Sequence, residues 1–147
     1  MNLAKDIRMP KALLLSVAIL IAPARVFAEA AIESGAYSSG MLSTNNPANS
    51  IVFEAAANDS VIVRVANEDS VYADIPDLSL SYIATVPSPS TNVPIASATN
   101  VSDVAAHEIS RTLADAGWYR ITCSLPARLQ AFEETLSYSV SLLRMPK

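Results

Sequence analysis

The chain has 147 residues, of which 51 % are apolar, 16 % charged and 6 % aromatic, with a formal net charge of −4. That length suits one domain, and the composition excludes a disordered acidic tail or a collagen-like chain. A single Cys excludes an internal disulfide framework, and with a single His it leaves too few soft ligands for a zinc site.

The apolar excess begins at the N-terminus. Lys5, Arg8 and Lys11 make a basic start, and the stretch from Ala12 to Pro23 carries no charge. Val26-Phe27-Ala28 and Ala28-Glu29-Ala30 are small-residue patterns of the kind a signal peptidase accepts. This order predicts a secretory signal peptide over residues 1–28, cut after Ala28 in preference to Ala30. The competing reading is an uncleaved N-terminal anchor. A spanning helix needs about 20 apolar residues, and this run is shorter and ends at the helix-breaking Pro23. The expectation is a periplasmic or secreted protein with one domain, residues 29–147, and no transmembrane segment after cleavage.

Removing residues 1–28 leaves 6 basic and 13 acidic residues, a net −7 in which the only Lys is Lys147. Such a surface repels nucleic acid and anionic headgroups, so nucleic-acid binding is excluded.

Beyond the leader, period-two alternation dominates, the mark of half-buried strands. Ala36 to Leu42 and Ser50 to Ala55 are short candidates. Ser60 to Val65 then puts Val61, Val63 and Val65 on one face. Leu78 to Tyr82 alternates with Ser outward, and Pro94 to Ala98 is another short run. Trp118 to Leu125 places Tyr119, Ile121, Cys123 and Leu125 together, and Trp118, Arg120, Thr122 and Ser124 on the other side. Leu136 to Leu142 alternates again. Asn45-Asn46-Pro47, Asn58-Asp59, Asn67-Glu68-Asp69 and Pro87-Ser88-Pro89-Ser90 supply turns between these runs.

Ser102 to Ala116 is ambiguous. As a helix it has Ser102 as cap, Ala105, Ile109, Leu113 and Ala116 on one stripe, and Gly117 as the stop. As a strand over Glu108 to Leu113 it fits its all-β surroundings, and that reading is preferred because tertiary context overrides propensity. Seven or eight short strands then predict an all-β fold, a jelly-roll-like antiparallel β-sandwich.

From about Ile32 to Leu143 the strand order resembles the bacterial pre-peptidase C-terminal domain, a β-sandwich often appended to secreted peptidases. Gly40-Met41-Leu42 is similar to its G-x-L opening strand, and Asn49 to Ala55 (NSIVFEA) to its D-x-Y-x-F-x-A strand. Asn58 to Val65 (NDSVIVRV) stands where the family has G-D-x-V-x-V-x-V, Asn replacing Gly because it too tolerates a left-handed turn. Gly117 to Cys123 (GWYRITC) resembles G-T-Y-Y-x-R-V, and Tyr138 to Leu142 matches the closing Y-x-L-x-L strand. The resemblance implies a jelly-roll-like sandwich, and some members of the family bind calcium.

Few residues point to chemistry. Asp103, His107 and Ser110 have the letters of a nucleophilic triad, but they crowd one segment, whereas triads gather from distant loops. His107 is therefore expected to be a surface or edge residue, and Glu133-Glu134 a solvated loop. No enzyme is expected. Glu68, Asp69, Asp74 and Asp77 crowd one interstrand loop and are the candidate ligands for calcium, which takes six to eight oxygens. The other reading is an ordinary solvated loop with no cofactor. Cys123 is expected in the core.

Trp118 has the parity opposite the core face. In one reading it is exposed beside Arg120, and the two with Tyr72 are the candidate contacts for a partner. In the other it follows a turn and tucks back over the end of the sandwich. The sequence thus predicts a small exported binding module, monomeric, for a protein or glycan of the envelope or extracellular space. The alternative is a structural or assembly component of the envelope that pairs through strand edges.

Overall fold

Period-two alternation becomes two facing sheets. The structure, a computed structural model, describes residues 29–69, 74–84, 91–99, 105–131 and 134–147. Each expected strand is present: β2 (Tyr37–Leu42), β3 (Ala48–Ala55), β4 (Ser60–Asn67), β5 (Asp77–Ala84), β6 (Thr91–Ala98), β7 (His107–Thr112), β8 (Gly117–Ser124) and β9 (Leu136–Met145). Ahead of them lies β1 (Ala30–Ala31), so the described residues hold nine strands rather than seven or eight. Two residues are too few to show a period, which is why alternation does not reveal β1.

The five-stranded sheet has the order β1-β3-β8-β5-β6, and the four-stranded sheet β2-β9-β4-β7. All pairings are antiparallel except β1 on β3, which runs parallel and departs from the all-antiparallel expectation. The chain simply leaves β3's edge to begin β2, and Ile32 N still donates to Val52 O at 2.9 Å. The ambiguous segment is a strand: β7 pairs with β4 from Val65–His107 to Ser60–Thr112. Ser102 lies outside the described residues.

Inward residues of both sheets form one core. Val61, Val63, Val65, Leu78, Leu80, Tyr119, Ile121, Cys123, Leu125, Leu136, Tyr138, Val140 and Leu142 are all buried, on the parity the sequence predicts. Each large apolar side chain so buried stabilises by about 1.5–3 kcal/mol. Phe53 stacks on Tyr119 with centroids 5.5 Å apart. Burial also pushes the Cys123 thiol up to about 12, and desolvation raises the Tyr119 and Tyr138 hydroxyls above their ordinary range.

Three motifs of the resemblance acquire physical reasons. Gly40 faces Tyr138 across β2 and β9, and a Cβ there would come within 2.6 Å of the Tyr138 hydroxyl. Asn58 does adopt the left-handed conformation, at φ 69°. Beside it, buried Asp59 accepts from Ala56 N at 3.0 Å through Oδ2. Tyr119 and Tyr82 tie the β7–β8 turn, their hydroxyls donating to Asp115 O at 2.5 Å and Ala116 O at 3.3 Å. Gly117 follows at φ 142°, its missing side chain leaving room for the Tyr82 ring.

Candidate functional site

The outward side of each sheet shows what is left for recognition. On the four-stranded sheet, β9 turns Ser137, Ser139 and Ser141 outward, as the sequence predicts. The same register then places Leu143 and Met145 outward, where alternation calls for polar residues. On neighbouring β2 the outward positions are Tyr37, Ser39 and Met41. Tyr37 is 76 % exposed, Met41 58 %, Leu143 47 % and Met145 43 %. Among the described residues, of the exposed large apolar ones only Val93 lies elsewhere, on β6.

Register gathers them. Tyr37 stands opposite Ser141, which makes Leu143 its diagonal neighbour. Diagonal cross-strand residues sit about 7–8 Å apart, within reach of an aromatic ring. Leu143 in turn faces half-buried Ile62 on β4, and Met145 faces Ser60. Small Ser residues between them make the apolar groups project as knobs. Arg64 and Glu108 face each other at the β4–β7 side. Glu68 closes the β2 side, accepting from Ser39 Oγ at 2.6 Å. An apolar centre with a charged rim is the arrangement of a protein-contact surface.

In the sequence these apolar residues stand apart on two distant segments, with no cluster to mark the face. Its signal was available in the break of a Ser-x-Ser-x-Ser outward series into Leu143 and Met145.

The five-stranded sheet holds the residues the sequence singles out. Trp118 and Arg120 do share its outward side, but Trp118 is half-buried rather than exposed. It sits opposite Glu54 of β3 and lines a cleft of about 490 Å³ that Glu33 and Arg144 also line. Arg120 is likewise half-buried and internally engaged. Its Nε and Nη2 both reach Glu29 Oε2 at 2.9 Å, and Nη1 donates to Asn92 Oδ1 at 2.5 Å. Tyr72 lies outside the described residues.

The acidic loop is divided among protein partners. Arg128 pairs with Asp74, whose carbonyl accepts from Asn67 Nδ2 at 2.8 Å. Asn67 Oδ1 accepts from Asp69 N at 2.7 Å, an Asx turn, and Glu68 is held by Ser39. Asp77 stands at the start of β5. Among the described residues no group of three or more His, Cys, Asp or Glu is arranged to hold a metal ion.

The triad letters do not assemble either. His107 is on edge strand β7 but buried, not at the surface, with Nδ1 2.8 Å from Pro76 O. Ser110 points to the opposite side of β7, and Asp103 and Glu133 lie outside the described residues. Cys123 is buried among core residues, as expected. Among the described residues no helix is long and apolar enough to cross a membrane.

No model of a known family matches the chain, and no curated protein sequence matches it. Solved structures do. The pre-peptidase C-terminal domain of a collagenase from Bacillus anthracis superposes with a TM-score of 0.52 at 12 % identity, over 80 % of this chain and 97 % of that one. The chain therefore shares the β-sandwich fold of that domain. PliG of Aeromonas hydrophila, a periplasmic lysozyme inhibitor of g-type lysozyme, has the same fold, with a TM-score of 0.58 at 11 % identity over 80 % of this chain and 96 % of its own. So does CorA of Methylomicrobium album BG8, a surface-associated copper-binding protein, at 0.53 and 10 % over 78 % and 96 %. At such identities the likeness is one of fold, and a fold alone does not fix what is bound.

Proposed function

We propose that the chain is an exported, non-catalytic binding module that holds a protein partner on the outward side of its four-stranded sheet. The observation that carries this reading is the gathering of Tyr37, Leu143 and Met145 in the solvent, with Met41 further along β2. A sugar needs a concave site with polar groups around a planar ring. This side is a sheet surface with flexible apolar knobs, which fit apolar side chains of another protein. A rigid sheet presents them without reorganising, which lowers the cost of association.

Residues 1–28 act as the export signal in this reading. Cleavage after Ala28 keeps the Glu29–Arg120 pair and all of β1, whereas cleavage after Ala30 removes both Glu29 and half of β1. The fold's occurrence in a periplasmic inhibitor and a surface-associated protein supports the location.

The test uses the protein purified after expression of the full chain, in the wild-type form and as Tyr37→Ala/Leu143→Ser. Each is immobilised and offered purified g-type lysozyme, then periplasmic extract, with calcium or with chelator. One protein retained by the wild type and lost by the double variant supports the reading. Retention of a glycan only, or of further copies of the chain only, overturns it, the second in favour of an assembly component.

A further inference from the structure

We infer that the cleft beside Trp118 is a receptor for a cationic side chain, Lys or Arg, of the protein partner. The inference deepens the proposed function at a second place on the domain and rests on that reading for the partner being a protein. The cleft, about 490 Å³, opens between the segment that follows β1 and the ends of β3, β8 and β9. Phe53 and Leu142, both core residues, form its apolar floor, and Trp118 forms a wall.

Its charge is one-sided. Arg144 lines the cleft, but its Nη1 donates to Glu54 O at 2.6 Å and its Nε lies 3.7 Å from the buried Asp59 carboxylate. That pairing offsets the only cation among the described residues that line the cleft. Glu33 and Glu54 remain, both exposed, and neither carboxylate has a hydrogen-bond or ion-pair partner among the described residues. Ser34 holds the rim in place, its Oγ accepting from Arg144 N at 2.8 Å and donating to Arg144 O at 3.1 Å.

An indole wall, an apolar floor and two unpaired carboxylates match a Lys or Arg side chain in each part. The stem packs on the floor, and the charged head meets the ring face and the carboxylates. An anionic ligand is excluded by the same carboxylates. The exported chain's net −7 draws a basic partner toward it as well.

Trp118 is the chain's only Trp, so its fluorescence reports on this cleft. The protein, purified after expression of the full chain, is titrated with the peptide acetyl-Gly-Arg-Gly-amide and with its citrulline counterpart, which keeps the shape without the charge. The expected result is a saturable Trp118 response to the Arg peptide, weakened by salt and absent with citrulline. In Glu33→Gln/Glu54→Gln the affinity should fall about tenfold, with circular dichroism unchanged, and Tyr37→Ala/Leu143→Ser should bind the peptide as the wild type does. An equal response to citrulline, no effect of the carboxylate variant, or a response to tetra-N-acetylchitotetraose in place of the Arg peptide overturns the inference. Protein retention that survives Glu33→Gln/Glu54→Gln overturns the cleft alone. Peptide binding without any retained protein leaves the cleft standing and removes the docking face.

Discussion

The two outward faces of this sandwich have opposite designs. On the five-stranded sheet, Arg120 reaches from Glu29 beside β1 to Asn92 on β6, so one guanidinium spans the sheet. Val52 and Ile83 are buried on that side, at positions that alternation turns away from the core. On the four-stranded sheet no such clasp exists among the described residues, and Tyr37, Met41, Leu143 and Met145 stand in solvent over small Ser residues. A charged side chain therefore marks the closed face and apolar side chains the open one. The difference warns against reading function from residue type alone, because a guanidinium with two internal partners has little left to offer a ligand.

Both faces rest on one core, and titrating that core is the strongest way to lose them together. The Cys123 thiol is pushed up to about 12 by burial. In the unfolded chain it ionises from about pH 9, while the folded protein keeps the proton. The folded state then holds more protons, so stability is complete below pH 9 and falls as pH rises toward 12, by about 1.4 kcal/mol per unit. Tyr119 and Tyr138, also raised by burial, add in the same direction above their ordinary range. Urea unfolding at pH 8, 9.5 and 11 should show this decline, with a shallower slope in Cys123→Ala. A flat profile would mean that the thiol is not buried.

A smaller effect separates the sheets. Gly40→Ala places a Cβ within 2.6 Å of the Tyr138 hydroxyl, so the buried Tyr138 ring must shift. Overpacking of this kind costs about 2 kcal/mol. The damage should stay on the four-stranded sheet: hydrogen exchange should quicken in β2 and leave β3 and β8 unchanged. Equal loss in both sheets would show that β2 is not an independent edge.

How much of this was legible in the sequence follows from which forces act locally. Strand alternation marked strands such as β4, β8 and β9 because burial has period two in the chain itself, and Cys123 falls in the core for that reason. β7 was decided correctly only by its surroundings, since its own residues suited a helix. Trp118 has the parity expected of it. It stands opposite Glu54 on β3 and lines a cleft with the segment after β1, neighbours some 64 to 86 residues away that no local pattern encodes. The pairing of Arg128 with Asp74 of the acidic loop was not legible either, because the two are distant in sequence. Leu143 and Met145 were visible as a break in the Ser series, but only the pairing with β2 brings Tyr37 beside them.

The smallest expected effect on stability is the one that bears most on function. Arg120→Ala removes the contacts to Glu29 and Asn92 and should destabilise by about 1 kcal/mol, the pair being partly exposed. Leu143→Ser should change stability by no more than about 0.5 kcal/mol, since nearly half of its side chain is already in water. Retention of the partner should respond in the reverse order. Leu143 projects from the centre of the docking face, where loss of an apolar anchor costs about 1–2 kcal/mol of binding, a roughly tenfold fall. Arg120 lies on the other sheet and its removal should leave retention unchanged. Paired denaturation and binding measurements on the two variants check both halves, and a partner lost with Arg120→Ala but kept with Leu143→Ser would exchange the roles of the two faces.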